Sequence, residues 1–376
     1  MRTLSTGGAV QAAPSATPTV ATAASVGDLY RASGRRRATI VALSFVLLIV
    51  AAAAVAVRGI NETGIGTLAL VVLERLSFGH LDLVEDEQAA RVLLFLRLPR
   101  VVMAMVAGAA LSVSGVLMQA ITRNPLVSPY TIGVSSAAGF GASVAIMFGV
   151  GVQAAGVYFV PLSAFACALL CAVCVFSLAW WRGMGAQAMI LTGIALMYLF
   201  SAMTAAVQFV ATEEQLARVV HWTFGSLNGV QWDAVGLCAV LLAVILPVMQ
   251  RKAWQLNALT VAGDDVAQSL GMNVPRLRVT AILLSVVAAA GVISFVGVIG
   301  FVGLIGPHLA RMIIGGDHRL LIPFAAICGA ALLLVADTVG RLAFSPTVLP
   351  VGIVVAFVGV PMFLHLVISR KRETFA

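Results

Sequence analysis

Apolar runs of about twenty residues, each closed by a basic residue, a glycine or a proline, recur from residue 38 to residue 368. Twenty such residues are what an α-helix needs to cross the hydrocarbon of a bilayer. A backbone in lipid must also satisfy its own hydrogen bonds, which a helix does. The pattern predicts an all-α, polytopic membrane protein with about ten transmembrane helices. The expected spans are 38–57, 101–122, 128–150, 157–180, 188–210, 233–249, 279–296, 301–314, 320–342 and 351–368. Composition agrees: 61% of the 376 residues are hydrophobic and 10% are charged. A soluble chain carries about 25% charged residues, so a soluble enzyme and a wholly disordered chain are both excluded.

The segments between spans organise the chain. Residues 1–38, rich in Ala, Ser, Thr and Gly and ending in Arg35-Arg36-Arg37, read as a disordered cytoplasmic tail. Residues 39–370 form the ten-helix transmembrane body and 371–376 a second cytoplasmic tail. Residues 58–100 carry too many charges for a span and read as an external segment, with an interfacial helix near 68–76. Residues 255–278 are the most polar interior stretch, read as cytoplasmic. With both termini inside, the inner side collects 16 of the 23 basic residues and 5 of the 15 acidic ones. That asymmetry is what membrane orientation by positive charge requires. The net charge of +8 does not indicate nucleic acid, because the basic residues are not gathered into a patch with stacking aromatics.

Several chemistries have no residues to carry them. There is no G-x-x-x-x-G-K-[ST] loop, and the two lysines, Lys252 and Lys371, follow nothing like one. No His, Cys or carboxylate cluster has metal-ligand spacing, so no metal and no cofactor is expected. Cys167, Cys171 and Cys174 share one face of an apolar helix and read as packing residues. Asp337 is the only acid inside an apolar run, with Arg341 one turn on, where a local ion pair suits the spacing. Ion-driven carriers keep carboxylates within the membrane. Their near absence points to a passive conduit driven from elsewhere. Gly108, Ser112 and Gly115 read as close-packing positions, and the Gly297–Gly306 run as packing or as a bend between short helices.

A set of strings in a fixed order resembles the FecCD family, the permease subunits of bacterial ABC importers for iron–siderophore complexes, haem and cobalamin. They are Arg97-Leu98-Pro99-Arg100; Gly108 through Gly115 with Gln119; Arg123-Asn124-Pro125-Leu126; Tyr130 through Ser136 with Gly133; and Trp222 through Leu227. Further on come Leu270-Gly271-Met272-Asn273-Val274; Gly300 through His308; Asp317-His318-Arg319; and Leu349-Pro350-Val351-Gly352. The resemblance implies a ten-helix subunit of the type II ABC importer fold in the bacterial inner membrane, no enzyme itself. The implied partners are a second permease subunit, two cytoplasmic ATP-binding subunits, a periplasmic substrate-binding protein and membrane lipid. A ferric siderophore is the expected cargo, with haem or cobalamin as alternatives. A stand-alone secondary transporter and a membrane scaffold are the rival classes.

By the same resemblance the polar insert is the ATPase-coupling region: Gly263, Asp264, Asp265, Val266, Ala267, Leu270 and Gly271. Its residues suit a short amphipathic helix. Asp264 and Asp265 sit near its N-terminus, Val266, Ala267 and Leu270 form an apolar face, and Gly271 suits the cap. Arg97, Arg100 and Arg341 match arginines that dock the binding protein; anchoring at lipid headgroups is the competing reading. The implied pathway and gate residues are Asn124, Pro125, Leu126, Ala186 and Gln187, with Met197, Ser201 and Met203 on the fifth helix. Simple packing explains each methionine equally well.

Overall fold

The computed structural model describes residues 23–57, 87–149, 153–181, 186–343 and 347–373. The expected interfacial helix near 68–76 and the first 22 residues lie outside these. Two compact units are distinguished, Met1–Ile40 and Val41–Ala376. In the first, the described residues are helical, and Thr39 Oγ1 donates to the Arg35 carbonyl at 3.0 Å. The first helix, α1 (Ala23–Val57), begins well before residue 38. That corrects the tail reading for residues 23–38, where Ala, Leu and Arg, all good helix formers, outweigh the scattered Ser and Gly.

The rest of the described chain is helix and connecting turn. Next come α2 (Glu87–Val92), a π-helical turn (Leu93–Arg97) and α3 (Leu98–Thr122), which run on without a break. The end of the segment 58–100 is therefore helical from Glu87 on. Glu87 and Arg91 pair at 3.1 Å, one turn apart and both exposed, so their charges decorate the helix instead of ending it. A 3₁₀ turn (Pro129–Ile132) leads into α4 (Val134–Phe148). Then follow α5 (Phe159–Trp181), α6 (Ala186–Val210), α7 (Glu213–Thr223) and α8 (Trp232–Arg251). The series ends with α9 (Ala253–Ser269), α10 (Val274–Val296), α11 (Val302–Ile314), α12 (His318–Leu342) and α13 (Val351–Glu373). Seven of these helices are long and apolar enough to cross a membrane. Three shorter apolar ones, Val134–Phe148, Val302–Ile314 and Val351–Leu364, fill the remaining expected places.

The centre of the bundle is α3, buried along nearly its whole length. Its small face decides its neighbours. A Cβ at Gly108 would run into the Gly329 carbonyl of α12, and one at Gly115 into the Gly303 carbonyl of α11. Helix axes can come this close only where neither side carries a side chain. Ser114 and Ser285 add a buried hydroxyl pair at 2.7 Å between α3 and α10. Both readings of the glycine run hold, at different places. Gly303 and Gly306 pack against α3, whereas Gly297 (φ 73°) and Phe301 (φ 63°) bound a non-helical break between α10 and α11.

α7 lies in the polar stretch between the expected spans 188–210 and 233–249, where hydropathy assigns no span. The signal was there. Thr212 and Gln215 make a capping box: the Thr212 hydroxyl accepts from Gln215 N, and Thr212 N donates to Gln215 Oε1 at 3.0 Å. Glu213 and Glu214 follow in the first turn, where negative charge suits the helix dipole.

Candidate functional site

Two groups of charged residues lie at opposite ends of the α3–α12 pair, which makes the broadest helix–helix contact among the described residues. The helices run antiparallel, with Arg100 beside Asp337 and Gly108 beside Gly329.

At one end, the carboxylate of Asp337 is completely buried. Arg100 approaches it with a fork: Nε donates to Oδ1 at 2.9 Å and Nη2 to Oδ1 at 2.7 Å, with Nε also 3.1 Å from Oδ2. The Asn228 side-chain oxygen accepts from Arg100 Nη1. Arg341 Nε lies 3.2 Å from Asp337 Oδ2, an ion-pair distance without hydrogen-bond alignment. The expected local Asp337–Arg341 pair is therefore the weaker half of the arrangement. Its stronger partner stands 237 positions away in sequence, beyond any spacing rule. Arg97 comes from the π-helical turn, whose extra residue rotates the helix face. Its Nη1 donates to the Ala56 carbonyl at 3.4 Å. Two of the three sequence-predicted docking arginines, Arg100 and Arg341, thus share one acid, so this pair keeps a surplus of positive charge, while Arg97 bonds the Ala56 carbonyl.

At the other end lies α9, which is two helices joined at Gly263 (φ 81°, ψ −178°). The insert was expected to hold one short helix and to run to residue 278. Instead its helical part starts at Ala253, and Val274–Arg278 already belong to α10. Asn273 makes that early start, because its side chain accepts from Arg276 N at 2.9 Å, and Pro275 sits in the first turn. The closing cap matches expectation. Gly271 N donates to the Gln268 carbonyl at 2.8 Å and Met272 N to the Ala267 carbonyl at 3.1 Å, with Gly271 at φ 80°. The expected apolar face divides. Ala267 is buried against the bundle, whereas Val266 and Leu270 are 47% and 67% exposed, and Val261 still more so.

Each half of α9 is fastened separately. In the second half, Asp264 pairs with Arg278 of α10 at 2.9 Å and with Arg123, which closes α3, at 3.7 Å. Gly263 itself is buried, and a Cβ there would come within 2.9 Å of Arg123 Nη1. Asp265 is exposed. In the first half, Asn257 Nδ2 donates to Asp317 Oδ1 at 2.8 Å, and its Oδ1 accepts from His318 N at 2.8 Å. His318 Nδ1 lies 2.7 Å from the same oxygen. Arg319 stacks its guanidinium 4.2 Å from the centre of the Trp254 ring and forks onto Asp317, at 2.6 Å for the shortest contact. Hydrogen bonds from Arg319 hold the Asp317 carboxyl down at about 2, against the cost of burial and with help from Asn257.

The candidate gate residues follow Arg123, which takes a left-handed conformation (φ 50°). Asn124 Oδ1 accepts from Leu126 N at 3.0 Å, making a tight turn around Pro125. This turn therefore adjoins Asp264 through Arg123. Ala186 and Gln187 open α6; Gln187 is exposed. Ser201 Oγ donates to Ser136 Oγ at 3.5 Å, and Met197 and Met203 are half-buried. α6 packs on the 3₁₀ turn, with Gly193 against Ile132, but most of its surface is bare, Tyr198 and Phe209 included. Among the described residues no group of His, Cys, Asp and Glu could hold a metal.

Comparison with known proteins supplies the context. Residues 41–369 match the profile of the FecCD transport family. The hemin transport system permease protein of Yersinia pestis is 38% identical over 281 residues, 74% of this chain and 83% of that protein. The achromobactin transport system permease protein of Dickeya dadantii is 36% identical over 336 residues, 89% of this chain and 93% of that one. A solved inward-facing transporter assigned to the metal-chelate type of ABC transporter superposes with a TM-score of 0.76 at 31% identity, covering 88% of this chain and 99% of its own.

Proposed function

With the chain a member of the FecCD transport family, a membrane-spanning ABC permease subunit and not an enzyme, we propose that it is the inner-membrane channel of a bacterial importer for ferric siderophore. It pairs with a second permease subunit, is driven by two ATP-binding subunits and is fed by a periplasmic binding protein. The observation that carries this reading is the second half of α9. A capped helical segment holds Val266 and Leu270 in the open while Asp264 ties it to α3 and α10. Exposed leucine beside carboxylates suits a protein cleft better than an anionic lipid surface, which prefers basic helices. Seated in the ATPase, this segment converts closure of the motor into a rigid-body shift of the helices it is tied to.

At the opposite end Arg97, Arg100 and Arg341 suit acidic residues on a binding protein, with Arg100 and Arg341 sharing a single carboxylate. Guanidinium groups pair carboxylates through two bonds and stay charged. The turn at Asn124-Pro125-Leu126, with Ala186 and Gln187, forms the gate. Met197, Ser201 and Met203 line the conduit, where soft and small side chains let bulky cargo slip past. Achromobactin, carried by the Dickeya relative, favours the siderophore reading; hemin, carried by the Yersinia relative, supports the second one.

The test is reconstitution of the full importer in vesicles, with uptake of a ferric siderophore and of hemin followed side by side. Leu270→Asp is expected to abolish ATPase association and uptake. Normal uptake in that variant, or uptake by the permease alone on an ion gradient, would overturn the reading.

A further inference from the structure

We propose that the triplet Asp317-His318-Arg319 is a latch that holds the first half of α9 to the start of α12, so that force on α9 reaches α12 as well as α3. The proposal rests on the reading of α9 as the ATPase-docking helix. It assigns a positioning role to a motif that this reading does not use.

Capping α12 requires only that Asp317 accept from Arg319 N, which it does at 3.1 Å. The triplet does more. All three residues engage α9: Asp317 through Asn257 Nδ2, His318 through Asn257 Oδ1, and Arg319 through the face of Trp254. Asn257 is used at both ends of its amide, which fixes its orientation. His318 is 2% exposed, so the bond to Asn257 is shielded from competing water. Gln250, on α8, donates to the Arg319 carbonyl at 2.5 Å and ties the neighbouring helix in.

The geometry separates two lines of transmission. Asp264 fastens the second half of α9 to α3 and α10, and the latch fastens the first half to α12. Between them stands Gly263, the one residue of α9 with a positive φ, where the chain can turn. α12 then continues to Asp337 and Arg341, and α3 back to Arg100. With both fastenings intact, a push on Val266 and Leu270 moves α3 and α12 as one body. With the latch open, Gly263 becomes a hinge and the start of α12 is no longer driven directly by α9, only through its packing on α3.

The experiment compares Asn257→Ala, Trp254→Ala, Trp254→Phe and Leu270→Asp in the complete importer, reading ATPase association and cargo imported per ATP hydrolysed. Asn257→Ala and Trp254→Ala are expected to keep association and hydrolysis while imported cargo per ATP falls about fivefold or more. Trp254→Phe, which keeps a ring under Arg319, is expected to stay near the unaltered ratio. An unchanged ratio in both alanine variants overturns the latch, as does loss of association in either, or a Trp254→Phe ratio as low as that of Trp254→Ala. Leu270→Asp keeps the two readings apart. If it leaves association and uptake normal, the docking reading itself fails. If it abolishes association while the alanine variants transport at the ordinary ratio, only the latch fails.

Discussion

The two ends of the α3–α12 pair use the same chemistry for different purposes. At the Asp337 end one wholly buried carboxylate faces Arg100 and Arg341, leaving positive charge over. At the α9 end Asp264 and Asp317 are partly exposed, and their arginines reach them from other segments or from two residues along the chain. A buried carboxylate ringed by arginines is rigid, because removing either side strands a charge away from water. Half-exposed pairs are weaker and can reform after movement. The first arrangement suits a fixed platform, and the second suits the attachment of a part that moves.

Substitutions test that contrast. Asp337→Ala is expected to have the largest effect, about 3–5 kcal/mol of stability, measured by unfolding of the purified protein in detergent. A loss below about 1 kcal/mol would erase the distinction between the ends. Arg278→Gln breaks the better-buried contact of Asp264 and should cost about 2 kcal/mol in the same assay. Arg341→Gln removes a docking charge while Arg100 still holds Asp337. Affinity for the binding protein should fall about tenfold, roughly 1.4 kcal/mol, and a titration against permease in nanodiscs would read it. Arg123→Gln, at a half-exposed pair 3.7 Å apart, should cost less than about 1 kcal/mol. An effect as large as that of Arg278→Gln would mean that Arg123 does more than pair.

The smallest effect depends on pH. The Asp317 carboxyl is held down at about 2 in the folded protein, below its ordinary 3.8. A depressed value means that its contribution is fully present above about pH 4 and is lost as pH falls through about 2. The stability gap between the unaltered protein and Asp317→Asn should therefore be widest near neutral pH and close as the solution is acidified. A gap that widened on acidification would show that Asp317 is not held as its charged form.

Much of the helix inventory was legible in one dimension, because hydropathy and span length are local properties. The cap at Gly271 and the small face of α3 were legible for the same reason. Three things were not. α7 is too short and too polar to stand out by hydropathy, and its one local mark is the Thr212–Gln215 capping pair. The start of α9 at Ala253 fell just before the polar stretch and that of α10 at Val274 within it, and two charges of that stretch, Asp264 and Arg278, pair with each other on the helices. The ring of contacts around Asp337 involved a partner that no periodicity points to.

What the amino-acid order determined alone is that this chain must lie in a membrane as a bundle of helices, since so few charges cannot keep such a surface in water. It also determined where α9 caps, and that no phosphate-binding loop is present. Only the tertiary structure decided which carboxylate each arginine meets, that α9 is two segments turning at Gly263, and that Asn257 and Trp254 bind the start of α12. Helix formation follows from neighbours along the chain, whereas ion pairs form between whichever side chains the packing of glycine faces brings together.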